Sequence, residues 1–291
     1  MHNQPLVSIV MNCYNSDEYL KEAIDSVIEQ TYSNWEIIFW DNQSTDESAE
    51  IVKSYKDDRI KYFYAPVHTL LGEARNKAVQ KANGEWIGIL DCDDIWHDDK
   101  LEKQLQVIDN DIGMVYSRSE FLVTDSGNKT HMAKRIKKNY YPKRKSLPIG
   151  EIFSELLYDC FIPLPSVLIR KDLFFQVGGI DGTLKVAEDY DIFLKIANIS
   201  KVAAVESVLC KYRVHDNNLS HSNMQETFEE SIQLIKKYLP DDNANSALLD
   251  WKAKYILSLL RQKRILEGLS KITSFKIILK LTTRVYTYAF K

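Results

Sequence analysis

Apolar runs and helical repeats alternate along the first hundred residues. Val7-Ser-Ile-Val-Met-Asn12 is short and almost wholly apolar, which predicts a buried strand. From Asp17 to Gln30 the apolar residues Leu20, Ile24, Val27 and Ile28 fall at the spacing of one helical face. The alternation then repeats. Trp35-Glu-Ile-Ile-Phe-Trp40 predicts a second strand, with a helix from about Thr45 whose start is rich in Asp, Ser and Thr. Ile60 to Tyr64 predicts a short third strand, Leu71 to Asn83 a third helix and Trp86 to Leu90 a fourth strand. Apolar strands separated by helices imply a largely parallel sheet covered on both faces.

Beyond Leu105 the pattern loosens. Gly113 to Ser117 predicts a strand, and Asp125-Ser-Gly-Asn a hairpin turn. The basic stretch Lys134 to Lys145, with Tyr140, Tyr141 and Pro142, reads as a surface loop, either a cover for an anionic substrate or a plain solvated segment. Ser166 to Ile169 is apolar again, and Phe174 to Val177 forms an amphipathic turn ending at the pair Gly178-Gly179. A helix opens at Val186-Ala-Glu-Asp-Tyr-Asp191, and Val202 to Leu209 predicts a further strand. From Gln225 onward the pattern is helical, interrupted at Pro240 to Asn243 and at Gly268.

Composition narrows the function classes. The 291 residues, 45% hydrophobic and 27% charged, are those of an ordinary globular protein, long enough for one large α/β domain or for one domain with a smaller appendage. A net charge of −3 and the lack of zinc-finger or RNA-recognition patterns exclude a nucleic-acid-coating surface. The cysteines Cys13, Cys92, Cys160 and Cys210 form no C-x-x-C pair, which fits free thiols in a reducing compartment. The N-terminus lacks the regions of a signal peptide, and no run of about 18 apolar residues occurs. A cytoplasmic protein is expected, at the inner face of the membrane if it meets one.

Candidate chemistry concentrates where strands end. The run Ile87-Gly-Ile-Leu stops at Asp91-Cys-Asp93-Asp94. Residues i and i+2 of an extended segment share a side, so Asp91 and Asp93 converge while Cys92 faces away. Clustered carboxylates repel, and a hard cation such as Mg²⁺ or Mn²⁺ relieves that while leaving positions for substrate oxygens. An acidic turn capping the next helix is the plainer alternative. Asn12 to Asn15 and Asp41 to Asp46 close the first two strands, on the edge where open α/β sheets bind ligands. Taken singly, Asn15 and Ser16 also fit an N-cap, Asp46 fits capping better, and Glu188 to Asp191 fit the favourable first turn of a helix. His215, in Tyr212-Arg-Val-His-Asp-Asn-Asn218, reads equally as a structural histidine and as a phosphate contact.

In order and spacing these pieces resemble family 2 glycosyltransferases. The motifs are Val7 to Asn15, Asp41-Asn-Gln-Ser-Thr-Asp46, Gly72-Glu-Ala-Arg75-Asn76, Gly84 to Ile87, Leu90 to Asp94, Glu188-Asp189 and Tyr212-Arg-Val-His215. The resemblance spans roughly residues 5 to 220. It implies a GT-A fold: a Rossmann-like, mixed, mainly parallel sheet flanked by helices, here with a C-terminal helical appendage. On that reading residues 1–110 are the nucleotide-sugar half, 111–220 the acceptor half and 221–291 the helical region. It further implies an inverting transfer from a nucleoside-diphosphate sugar with Mn²⁺ or Mg²⁺. Asp189 would be the general base and Asp93 the metal ligand, with Asp91 on the metal's waters or the ribose. Asn15, Asp41, Arg75 and His215 would line the donor site. Asp41 matches the residue that binds the base, and a carboxylate suits the imide N–H of uracil, so a UDP-sugar is expected. Gln43 stands where the family usually has Gly, and Asn42 where a second Asp is common.

The Gln-x-x-Arg-Trp motif of processive synthases is absent, which implies transfer of one or a few sugars to a glycan or lipid-linked acceptor in cell-surface polysaccharide assembly. Two rivals stay open. A sugar-nucleotide nucleotidyltransferase lacks its Gly-rich loop after the first strand, and a non-catalytic nucleotide-sugar-binding protein would have no need of Asp189. A dehydrogenase is excluded by the missing G-x-G-x-x-G. From Arg261 to Lys291 eight basic residues meet one acidic residue, Glu267. Ile272, Phe275, Leu279 and Tyr286 near helical spacing, with Lys276, Lys280 and Arg284 on another face, read as a membrane-surface helix, a helix packed on the protein or a dimer contact.

Overall fold

The computed structural model describes residues 4–124, 145–215, 218, 223–274 and 276–281. These fall into two compact units, one drawn from Met1–Ile152 and Phe161–His221, the other from Phe153–Cys160 and Ser222–Lys291. The first holds an eight-stranded sheet. Its parallel part is β1 (Val7–Cys13), β2 (Trp35–Asp41), β3 (Ile60–Tyr64) and β4 (Trp86–Ile89), interleaved with α1 (Asp17–Ile28), α2 (Ser48–Ser54) and α3 (Leu71–Val79). These are the elements that the apolar periodicity predicts, though α3 stops before Asn83 and α2 starts at Ser48 rather than Thr45.

The rest of the sheet is mixed. It comprises β5 (Ile95–Trp96), β6 (Ile112–Val123), β7 (Leu168–Arg170) and β8 (Lys201–Val214), and the strand order is β3-β2-β1-β4-β7-β6-β8-β5. β7 runs antiparallel to both β4 and β6, whereas β6 and β8 pair in parallel with register shifts near Ser117 and Arg118. Both β6 and β8 are longer than expected, because their second halves carry polar residues that lower the apolar signal without interrupting the ladder. Helix α4 (Lys100–Leu105) follows β5. The hairpin expected at 125–128 and most of the basic loop lie outside the described residues.

The core is built from one face of β1 and β2 packed on α1: the alternate residues Val7, Ile9, Met11, Trp35, Ile37 and Phe39 cluster with Leu20, Ile24 and Val27, all buried. Burying side chains of this size contributes about 1.5–3 kcal/mol each. That core holds the C-terminal strand ends rigid beneath the loops they carry. Asp46 secures two of those loops: its Oδ2 accepts the backbone N–H of Asp17 at 3.1 Å, and its Oδ1 that of Ser48 at 3.1 Å. One carboxylate therefore caps the starts of α1 and α2 together.

In the second unit, α5 (Phe153–Tyr158) packs with α8 (Met224–Lys236), α9 (Asp242–Arg261) and α10 (Ile265–Ser270), after α6 (Lys171–Gln176) and α7 (Glu188–Ala197) of the first unit. Leu156 and Leu157 are buried there, and Trp251 Nε1 donates to Leu157 O at 2.8 Å. No local pattern in the sequence shows that α5, from within the expected acceptor half, groups with helices seventy and more residues later. Gly268, read as a break, lies inside α10, where its missing side chain lets Leu260 approach within 3.1 Å of the position a Cβ would take.

Replacing Asp46 with Ala should lower stability by about 1–2 kcal/mol through loss of both caps. Urea unfolding followed by circular dichroism checks this; an unchanged midpoint would show the caps to be dispensable.

Candidate active site

The ends of β1, β2 and β4 lie at one edge because the three strands run parallel, with Cys13 opposite Asp41. After β1, Asn15 adopts a left-handed φ of 50°, and its Oδ1 accepts the N–H of Thr45 at 2.7 Å. Its own N–H donates to Ser44 Oγ at 3.1 Å, so the loops after β1 and β2 are laced together. Asp41 has no exposed surface. Its Oδ1 accepts the N–H of Ser44 at 2.7 Å and its Oδ2 the hydroxyl of Tyr62 at 2.6 Å. Burial, and then that bond to Asp41, push the Tyr62 hydroxyl well above its ordinary pKa. A base can reach Asp41 only if the Asn42–Thr45 loop yields. Gln43 has φ 72°, a conformation that disfavours any side chain with a Cβ. Its Nε2 donates to Ala65 O at 3.3 Å.

Arg75 forms the centre of the site. It stands inside α3, 1% exposed, with Nη2 donating to Asp91 Oδ1 at 2.6 Å and Nη1 to Glu188 Oε1 at 2.7 Å. Gly72, one turn earlier, permits this: a Cβ there would meet Ile180 Cγ2 at 2.9 Å and Glu188 Cβ at 3.4 Å, so α3 can press against the segment leading into α7. Burial opposes the guanidinium's charge, but Asp91 and Glu188 override it and hold its pKa above the ordinary value. Arg75 is expected to line the donor site. In the fold each of its terminal nitrogens donates to a carboxylate and the guanidinium is buried, so Arg75 holds Asp91 and Glu188 in place.

Beside Glu188, Asp189 heads α7 and is half-buried, with its Oδ1 accepting the N–H of Tyr190 at 2.6 Å. Burial first, and then the charge of Glu188, push its carboxyl up to about 7, while Arg75 pulls the other way. Glu188 is likewise raised, chiefly by burial, and its Oε2 is buried without a hydrogen-bond partner. Asp91 and Arg75 both act electrostatically on Asp189, so the first turn of α7 and the acidic turn after β4 share one neighbourhood.

In that turn Asp93 faces His215, whose Nε2 lies 2.8 Å from Asp93 Oδ2. A carboxylate oxygen accepts, so Nε2 carries the proton. Asn218 Nδ2 donates to the same oxygen at 3.3 Å. His215, expected at the diphosphate, is here a support for Asp93. Asp94 is buried, and its Oδ1 accepts the N–H of Arg213 at 2.8 Å. Burial and the neighbouring charges of Asp93 and Asp91 hold its carboxyl well above the usual carboxylate range. Among the described residues no three His, Cys, Asp or Glu side chains converge as a closed metal cage. Arg213 and Asp94 stand in the sequence motifs without a role of their own, and only the fold shows them paired behind Asp93.

The profile described as Glycosyl transferase family 2 matches residues 8–160. An uncharacterized glycosyltransferase of Rickettsia typhi is 32% identical over 230 residues, 77% of this chain and 69% of its own. The Escherichia coli protein named UDP-Glc:alpha-D-GlcNAc-diphosphoundecaprenol beta-1,3-glucosyltransferase WfgD is 29% identical over 224 residues, 76% of this chain and 82% of its own. Among solved structures, the Pyrobaculum calidifontis mannosyltransferase PcManGT in complex with GDP-Man and Mn²⁺ superposes with a TM-score of 0.67 at 17% identity, covering 100% of this chain and 82% of its own.

Replacing Arg75 with Met should cost about 3–5 kcal/mol near neutral pH, since a buried carboxylate is left without its partner. The loss should shrink in mildly acid solution, because the raised pKa of Glu188 lets it take up a proton as pH falls. Urea unfolding at two pH values measures both; an equal loss at each would contradict the ion-pair account.

Proposed function

The chain belongs to glycosyl transferase family 2 and is a glycosyltransferase of GT-A fold, and from that premise we propose an inverting transfer of one sugar from a UDP donor to a hydroxyl of a lipid-linked or glycan acceptor. The observation that carries this is the Asp91–Arg75–Glu188 bridge, which ties the acidic turn after β4 to the start of α7 and brings Asp189 to the same place. In its ionised form Asp189 takes the proton of the acceptor hydroxyl as that oxygen attacks the anomeric carbon. A pKa of about 7 suits the task, since the carboxylate is both available and basic near neutral pH.

Asp93 and the outer oxygen of Asp91 would hold Mn²⁺ or Mg²⁺. The residues fit such an ion, because Mg²⁺ is ordinarily bound by one or two carboxylates with substrate phosphates and water filling the remaining positions. When bound, the ion supplies positive charge for the departing diphosphate. His215 and Asn218 keep the Asp93 carboxylate oriented, and Arg75 keeps Asp91 from swinging away. Asn15 and Asp41 organise the loop where the nucleotide would lie. The name of the WfgD relative supports UDP as donor nucleotide and a diphosphoundecaprenol acceptor. The PcManGT complex supports the cation, although its donor is GDP-Man.

No described helix is long and apolar enough to cross a membrane. The basic C-terminal region suits contact with an anionic lipid surface, at the cytoplasmic face where a lipid-linked acceptor would be met. Exposed apolar residues occur there, with Leu266 86% and Leu279 59% exposed, while Ile277 is buried. Phe275 and the stretch 282–291 lie outside the described residues.

Replacing Asp189 with Asn should cut turnover by roughly 10²–10⁴-fold with donor affinity retained. The unsubstituted enzyme should lose activity as pH falls through about 7, because protonation removes the base. Steady-state rates against pH, with isothermal titration of UDP, decide this; full turnover by the variant would remove Asp189 from the chemistry. Deleting residues 270–291 should reduce co-sedimentation with anionic liposomes, and undiminished sedimentation would end the membrane assignment.

A further inference from the structure

Arg213 lies near the end of β8 and His215 just past it, and both reach the acidic turn. His215 meets the Asp93 carboxylate, whereas Arg213 takes the backbone behind it. The Arg213 side chain is 6% exposed, with Nε donating to Asp93 O at 2.7 Å and Nη2 donating to Glu22 Oε2 at 2.8 Å. Its guanidinium carbon lies 4.1 Å from the centroid of the Tyr19 ring on α1. The backbone N–H of Arg213, not its side chain, holds Asp94.

These contacts differ in weight. Glu22 is 56% exposed, so water screens its pairing with Arg213 and the pair contributes little. The bond to Asp93 O is charge-assisted and made by a nearly buried guanidinium whose plane is set by Tyr19. It fixes the peptide from which the Asp93 carboxylate projects. Truncating the side chain would release that peptide while leaving the Arg213 N–H on Asp94 and the β6–β8 ladder intact.

We propose that Arg213 is a positioning residue for the transfer reaction, clamping the Asp93 backbone so that its carboxylate is presented to the cation of the donor diphosphate. The proposal rests on the metal reading above. Arg213 acts through Asp93 and touches no reacting atom. Supports of this kind behind a metal ligand typically change metal affinity 10–100-fold when removed.

The test compares Arg213→Met, Arg213→Lys and Glu22→Gln with the unsubstituted protein. Free Mn²⁺ is followed by electron paramagnetic resonance at saturating UDP, metal-free UDP binding by calorimetry in chelator, thermal unfolding by circular dichroism, and kcat and KM by steady-state rates. Arg213→Met should weaken Mn²⁺ binding about tenfold or more and lower kcat, with metal-free UDP affinity held and the unfolding midpoint moved by only a few degrees. Arg213→Lys should fall between, since an ammonium can reach one acceptor but lacks the planar fork. Glu22→Gln should stay within about twofold of the unsubstituted protein, as expected for a screened pair. Mn²⁺ affinity within about twofold in Arg213→Met, or an equal loss of metal-free UDP binding, would overturn the clamp alone. Absence of Mn²⁺ binding by the unsubstituted protein would overturn the metal reading and the clamp with it.

Discussion

One buried cation organises the site. Arg75 lies inside a helix with almost no exposed surface, and its charge is tolerable there only because Asp91 and Glu188 meet it at hydrogen-bond distance. Those two carboxylates belong to the end of β4 and the start of α7, more than ninety residues apart in the chain. Desolvating three charged groups together is unfavourable unless the geometry is good, so the bridge selects a single approach of α3 to α7. Gly72 makes that approach sterically possible.

The bridge also grades the carboxylates around it. Asp91 and Glu188 are paired, whereas Asp189 gains only part of the guanidinium's field while carrying the full effect of burial and of the Glu188 charge. Its carboxyl is raised for that reason. Asp94, buried and among like charges, is held well above the usual carboxylate range and serves as an anchor for the turn. Adjacent acids thus acquire different chemistry from their surroundings alone.

A second set of supports comes from the far end of β8. His215, Asn218 and Arg213 hold Asp93 from its carboxylate and its backbone, and Tyr19 of α1 backs the Arg213 side chain. The start of α1 is in turn capped by Asp46 from the loop after β2. Gln43 and Asn15 both hold positive φ within that framework, so backbone strain is retained in the loops after β1 and β2.

Local patterning determined much of this protein. The strands β1, β2, β3 and β4 and the helices between them follow from apolar periodicity, and the acidic turn after β4 follows from the abrupt change at Asp91. Membership of the family was legible in the order of the motifs. The partners of the site residues were not. Arg75 and His215 read as donor-site residues, because a sequence records which charges are present but not which of them burial forces together. The tertiary structure decided that Arg75 is spent on two carboxylates, that Asp41 is sealed behind Ser44 and Tyr62, and that α5 leaves the sheet domain for the helical unit. Each depends on contacts between segments far apart in the chain, where desolvation and steric fit, rather than local periodicity, settle the outcome.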